Sequence, residues 1–204
     1  MSIACPVDLN TGVLRSEISK IYGRVAEDPD GEFHFHRGPA YAAEFLCYDA
    51  AELATLPVDC TASFAGIANP IAIGPVHLGE TVLDIGCGAG MDLLLLAKRV
   101  GPTGEAIGVD MTDLMVERAR QSAQARGLSQ VEVRTGDATA LPVADASIDV
   151  VSSNGVLNLV PEKARAFGEI LRVLKPGGRL HLADIALDVD LPEDARRNID
   201  LWTG

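Results

Sequence analysis

In the second half of the chain, short and nearly continuous apolar runs alternate with helix-like patterns. "TVLDIG", "EAIGVD", "VEVRTGD", "SIDVVSSN" and "RLHLADIA" read as strands. "MDLLLLAKRV", "DLMVERARQSAQARG" and "PEKARAFGEILRVL" lie between them with helical spacing. This alternation predicts a doubly wound α/β fold, with a mostly parallel sheet covered by helices on both faces. The helix stops agree. Gly127, followed by Leu128, suits a C-terminal glycine cap. Pro161 opens the last of these helices, and Lys175-Pro176-Gly177-Gly178 closes it with a turn. Ala164, Phe167, Leu171 and Leu174 are expected to form its packing stripe.

Residues 1–79 have another texture. "GVLRSEISKIYGRVAED" predicts a helix with Val13, Ile18, Ile21 and Val25 near helical spacing. "GPAYAAEFLCYDA" and "DAAELATLP" predict two short helices, the second with Asp49 as its N-cap. "FAGIANPIAIGPVHLGE" is rich in Gly and Pro and reads as an irregular connector. The expected organisation is an N-terminal helical cap and active-site lid over residues 1–79, and a sheet domain over residues 80–204.

Composition narrows the function. The 204 residues, 48% of them hydrophobic, suffice for one core of ordinary size. The 17 basic against 29 acidic residues give a net charge of −12, which argues against a nucleic-acid partner. The N-terminal "MSIACPVDLN" has no basic segment followed by an apolar run, so no signal peptide is expected. No apolar stretch reaches the length of a membrane span. Cys5, Cys47, Cys60 and Cys87 are scattered, which suits a reduced, cytoplasmic protein rather than a zinc site.

The chemistry concentrates in "VLDIGCGAG". Gly86, Gly88 and Gly90 end a strand and open a helix, where the backbone approaches a ligand closely and helix amides point at it. Twenty residues beyond Gly90, Asp110 closes the next strand and is placed to accept both hydroxyls of a ribose. Asp137 ends the third strand in "GDA", suited to an adenine amino group. The loop is G-x-G-x-G rather than the G-x-G-x-x-G of a dinucleotide site. It also carries Asp84, a carboxylate unwelcome beside a pyrophosphate but useful beside a cation. Together these point to a sulfonium or ammonium cofactor bearing adenosine, namely S-adenosylmethionine (SAM).

"VLDIGCGAG", "GVDMT", "GDA" and "LKPGG" together resemble the class I SAM-dependent methyltransferases over about residues 70–190. The resemblance implies strand order 3-2-1-4-5. The crossover from Asp137 to Ser147 must pass three strand steps, about 14 Å. Its ten residues reach up to about 33 Å. It further implies that the Gly86–Gly90 loop, with Cys87, faces the methionyl part. Asp110 would hold the ribose, Met111 would lie on the adenine, and Asp137 with Ala138 would bind its edge. Asn154 and Gly155 would sit below the methyl group. The reaction would be in-line displacement of that methyl by a small-molecule nucleophile, leaving S-adenosylhomocysteine (SAH).

Within that family, "DIGCGAGMDLLLLAKRVGPTGEAIGVDMTDLMVERAR", "LKPGGRLHLADI", "FAGIANP" and "SNGVLNLVP" look most like the arsenite methyltransferases. Those enzymes hold trivalent arsenic on converging thiolates. Here Ile67 and Gly155 stand where two of the cysteines belong, and the chain ends at "LWTG", before a third. Arsenite therefore competes with two other readings: a small-molecule C-, O- or N-methyltransferase similar to the quinone enzymes, and a SAM-binding homologue without turnover. Asn69, in the "NP" of the first motif, is a candidate substrate contact. Strands 6 and 7 of the family are expected to be absent, and "LPEDARRNIDLW" reads as a helix. Strand 5 would then be an open edge, through which the chain could pair as a homodimer. His34 and His36 share one face of an extended segment without a third metal ligand in register, so no metal is expected. Tyr22 and Tyr41 could line a pocket. His181 would be a core or edge residue of strand 5.

Overall fold

The computed structural model describes residues 10–186 and Asp188. Five strands form one sheet: β1 (Thr81–Ile85), β2 (Glu105–Asp110), β3 (Val131–Thr135), β4 (Ile148–Asn154) and β5 (Leu174–Ala183). All neighbours are parallel, in the expected order β3-β2-β1-β4-β5. The crossover from β3 to β4 contains no helix among these elements. The expected helix at 191–202 lies outside the described residues.

Alternation along β1 divides the core. Val82 faces one side of the sheet with Val150 of β4. Leu83 and Ile85 face the other with Val151. The first side is covered by α5 (Met91–Val100) and α6 (Asp113–Ala125), the second by α7 (Lys163–Val173). In α6, the amide of Leu128 donates to the Ala123 carbonyl at 3.1 Å and Gly127 has φ +64°, so the glycine cap is present. The stripe of α7 is displaced from expectation. Ala166, Ile170 and Val173 are its buried residues, and Leu171 is 74% exposed. Their i, i+4, i+7 spacing makes a tighter apolar face than the one anticipated.

The segment "LKPGG" does more than turn. β5 pairs Leu174 with Ile148, and then Arg179 with Val150. Lys175–Gly178 therefore bulge out of the ladder, with Gly177 at φ +83°.

The N-terminal residues form α1 (Thr11–Glu27), α2 (Gly38–Leu46), α3 (Ala50–Leu53), α4 (Val58–Ala62) and a single 3₁₀ turn at Pro70–Ala72. Asn10 caps α1 by accepting from the Gly12 and Val13 amides. Asp49 caps α3 by accepting from Ala51 and Glu52, as anticipated. The short helix α4 was not anticipated. On α1, Leu14, Ile18 and Val25 point inward, whereas Val13 is 45% exposed. Val25, Ala42, Leu53, Leu56, Cys60 and Phe64 join the same cluster as Val82, Leu93 and Val150. Helix α5 is consequently covered on both sides, which explains its almost unbroken apolar sequence. Two polar contacts fix the outer cover: Arg99 to Glu52 at 3.0 Å and Lys98 to Thr55 at 2.9 Å.

Candidate functional site

Above the C-terminal ends of the strands, one cleft gathers the candidate residues. Asp84, Gly86, Cys87, Gly88, Asp110, Met111, Asp137, Ala138, Asn154 and Gly155 all line it. Gly86 and Gly88 have φ of +70° and +52°. A Cβ on Gly86 would run into Val156, whereas Gly88 faces open space. Gly90 stands outside the lining; at φ +100° it hands the chain to α5 and packs against Ala119 of α6. Asp110 pins this loop to the end of β2. Its Oδ2 accepts from the Gly88 amide and its Oδ1 from the Thr112 amide, each at 2.9 Å.

Acidic groups dominate the wall. Asp84 is only 2% exposed, and its carboxylate accepts no hydrogen bond among the described residues. Burial, then the neighbouring Asp92 and Asp110, raise its pKa well above the carboxylate range. Burial likewise pushes Asp92 up to about 6, against the pull of hydrogen bonds from Asn154 and Tyr48. It raises Asp110 too, against its backbone hydrogen bonds. Arg15 is the one lysine or arginine on the wall among the described residues. A cavity so furnished is unfavourable to anions and prepared for a cation. Tyr22 also lines it, with its hydroxyl pushed up to about 12 by burial and then by Asp110.

Asn154 is placed beside the loop, but its amide is committed to the protein. Nδ2 donates to the Ala68 carbonyl at 2.8 Å, to Asp92 Oδ2 at 3.0 Å and to the Tyr48 hydroxyl at 3.2 Å. Oδ1 accepts from the amides of Ile67 at 2.9 Å and Ala68 at 3.3 Å. The Tyr48 hydroxyl in turn donates to Asp92 Oδ1 at 2.7 Å. This buried network joins four separate pieces: Tyr48 between α2 and α3, the connector at 67–68, the start of α5, and the end of β4.

Gly155 follows with φ +69°. A Cβ there would stand 3.3 Å from Ile67 Cγ2, so these two positions converge in space. Cys60 and Cys87 also line the cleft. Burial pushes the Cys60 thiol up to about 12 and the Cys87 thiol well above its ordinary value. Burial thus disfavours the free thiolate at both positions. Asn69 is not on the wall; its Nδ2 donates to the Cys47 carbonyl at 3.3 Å.

Asp137 is on the wall but engaged. Thr139 donates to Oδ1 from its amide at 2.7 Å and its hydroxyl at 2.6 Å, and Arg15 Nε donates to Oδ2 at 2.8 Å. His34 and His36 are both exposed; His36 stacks on Tyr41 at 5.2 Å, so Tyr41 packs outside the cleft. His181 is buried beside Ser152 of β4.

Arg15, Tyr48, Asp92 and Glu162 escaped the sequence reading. Asp92 left a signal: a lone carboxylate in the apolar run "MDLLLLA", where a charge needs a partner. Arg15 and Glu162 looked like ordinary solvated charges, and only the fold brings them together.

A methyltransferase-domain family matches residues 77–203. An arsenite methyltransferase of Halobacterium salinarum is 44% identical over 165 residues, which are 81% of this chain and 42% of that protein. A demethylmenaquinone methyltransferase of Lactobacillus johnsonii is 36% identical, over 53% of this chain and 45% of that protein. Among solved structures, an arsenic(III) S-adenosylmethionine methyltransferase from Chlamydomonas reinhardtii superposes with a TM-score of 0.68 at 38% identity, covering 75% of this chain and 55% of the other. The chain thus spans less than half the length of these curated relatives. Sheet order, glycine loop, strand-end carboxylates and these similarities agree: the chain belongs to the class I SAM-dependent methyltransferases, whose cofactor is S-adenosylmethionine.

Proposed function

We propose that this chain binds SAM in the cleft and transfers its methyl group to a carbon, oxygen or nitrogen nucleophile of a small organic acceptor. The contact of Gly155 with Ile67 carries the choice of acceptor. Two positions that would bear converging thiolates in an arsenic site instead present a bare backbone and a branched alkyl group.

The residues present fit the cofactor. Asp84, buried without a hydrogen-bond donor, suits a positively charged group. The open side of Gly88 leaves room for the methionyl portion. Asp110 would hold the ribose while keeping its bonds to Gly88 and Thr112. Met111, Asp137 and Ala138 would receive the adenine. When bound, SAM supplies an electrophilic methyl group. The protein's part is to position the acceptor and exclude water. Phe64, Val156 and Leu159 on the wall favour an apolar acceptor. Asn154 would serve the site by holding the connector at Ile67 and Ala68, just beyond Ala65 and Gly66 of the wall.

Similarity to arsenic methyltransferases supports trivalent arsenic as the second reading. Cys60 and Cys87 are the described thiols on the wall, and burial disfavours their thiolates. Mass spectrometry of reactions supplied with SAM and either arsenite or a panel of hydroquinones and phenols separates the two. Methylated organic product without methylated arsenic is the expected result; methylarsenic alone would overturn the proposal. The outer edge of β5 pairs with no strand among the described residues, and a second copy of the chain is the partner we infer there. Sedimentation velocity tests that assembly.

A further inference from the structure

The guanidinium of Arg15 touches both sides of the cleft mouth. Its Nε donates to Asp137, just beyond β3, at 2.8 Å. Its Nη2 and Nη1 donate to Glu162, at the start of α7, at 3.0 and 3.4 Å. These acids leave the sheet from β3 and β4, which are separated by β2 and β1. They meet only because the chain after β4 folds back across the opening. Leu159, Val160 and Pro161 of that stretch line the cleft, as do Arg15, Ile18 and Tyr22 of α1. One side chain of α1 thus ties together two rims at the mouth itself, beyond the contacts of Glu169 and Arg172 of α7 with Leu141 and Val143 lower on the crossover.

We propose that Arg15 is a strap across the cofactor cleft: adenosine must displace it from Asp137 to enter, and the remaining Arg15–Glu162 pair must open for it to leave. This rests on the SAM reading above, which assigns the adenine amino group to Asp137. Both ligands are hydrogen-bond donors directed at one carboxylate, whose Oδ1 is already filled by Thr139. Arg15 Nε stands on the Oδ2 edge that Thr139 leaves open, so the two donors contend for one approach to the carboxylate. With adenine in place, the guanidinium keeps Glu162, so α1 closes over the bound nucleoside rather than leaving the mouth. Cofactor exchange then requires the strap to open, and its rate responds to the ion pairs.

The test is stopped-flow release of SAH, after calorimetry establishes that the parent binds it. Glu162→Gln weakens the strap without altering Asp137, and its site is partly exposed, so the fold tolerates it. Partly exposed pairs predict release about two- to fivefold faster in the variant. Arg15→Met should be faster still. Raising salt should accelerate release from the parent and leave Arg15→Met unaffected. If the parent binds no SAH, the cofactor reading fails and takes the strap with it. If the parent binds SAH but Glu162→Gln and Arg15→Met release it at the parent's rate, the strap alone is overturned.

Discussion

The carboxamide of Asn154 donates to the carboxylate of Asp92 at 3.0 Å, which joins the end of β4 to the first turn of α5. Every polar atom of that carboxamide is spent on the protein, and it accepts from the backbone amides of Ile67 and Ala68 and donates to the Ala68 carbonyl. Replacing Asn154 by Ala leaves the Ile67 amide and the Ala68 carbonyl without this partner and leaves Asp92 with Tyr48 alone. Loss of about 2–4 kcal/mol of stability is expected, read from urea denaturation. Tyr48→Phe, which removes one hydroxyl, should cost about 1–2 kcal/mol.

Asp92 makes stability depend on pH in an unusual direction. Its pKa is raised from 3.8 to about 6, so the folded chain holds this proton more tightly than the unfolded one. The stability it contributes is complete below about pH 4 and is lost as pH rises through about 6. Glu80, Asp137, Asp149 and Glu169 have lowered values, so their contributions fall only on further acidification. Between these limits the parent should gain on the order of 1–3 kcal/mol relative to Asp92→Asn as pH is lowered. Parallel pH profiles for the two proteins would rule out this role for Asp92.

Asp84 should distinguish the charge of the cofactor. Burial raises the pKa of its carboxyl, and a sulfonium alongside favours the ionised form, an attraction that the neutral sulfur of SAH does not offer. In Asp84→Asn, affinity for SAM should fall about tenfold or more, and affinity for SAH considerably less. Isothermal titration with both ligands measures the ratio. An equal loss for the two would mean that Asp84 does not sense the sulfonium.

The Gly155–Ile67 contact can be rebuilt as a thiol pair. Gly155→Cys alone meets left-handed backbone and the Ile67 methyl, so it should destabilise the chain by about 1–3 kcal/mol. Adding Ile67→Cys removes the crowding. The double variant should bind phenylarsine oxide, a probe for paired thiols, at least tenfold more tightly than the parent. Binding no tighter than the parent's would show that the two positions do not form one site.

The sheet and the cofactor loop were legible because each depends on local pattern. Strand runs, the spacing of Gly86, Gly88 and Gly90, and acids at three strand ends are properties of short segments. The Gly155–Ile67 pairing was visible only as two substitutions against a family pattern, 88 positions apart, and the fold supplies their contact. The Asn154 network lay further from view. Its members sit at 48, 67, 68, 92 and 154, and no periodicity links them. The stripe of α7 was misjudged for a different reason. Leu171 and Ile170 are equally apolar in the sequence, and only packing against β4 and β5 decides which is buried.

The shared core has a consequence for changing what this protein accepts. Side chains from α3, α4 and the connector pack into one cluster with Leu93, Leu94 and Val150. The wall facing the acceptor is therefore continuous with the surface that seats the cofactor helix. A block of residues 10–79 taken from a relative would bring its own pocket lining together with a mismatched underside. Altered selectivity should come more readily from point changes at Ile67, Gly155 and Val156 than from exchanging that block whole.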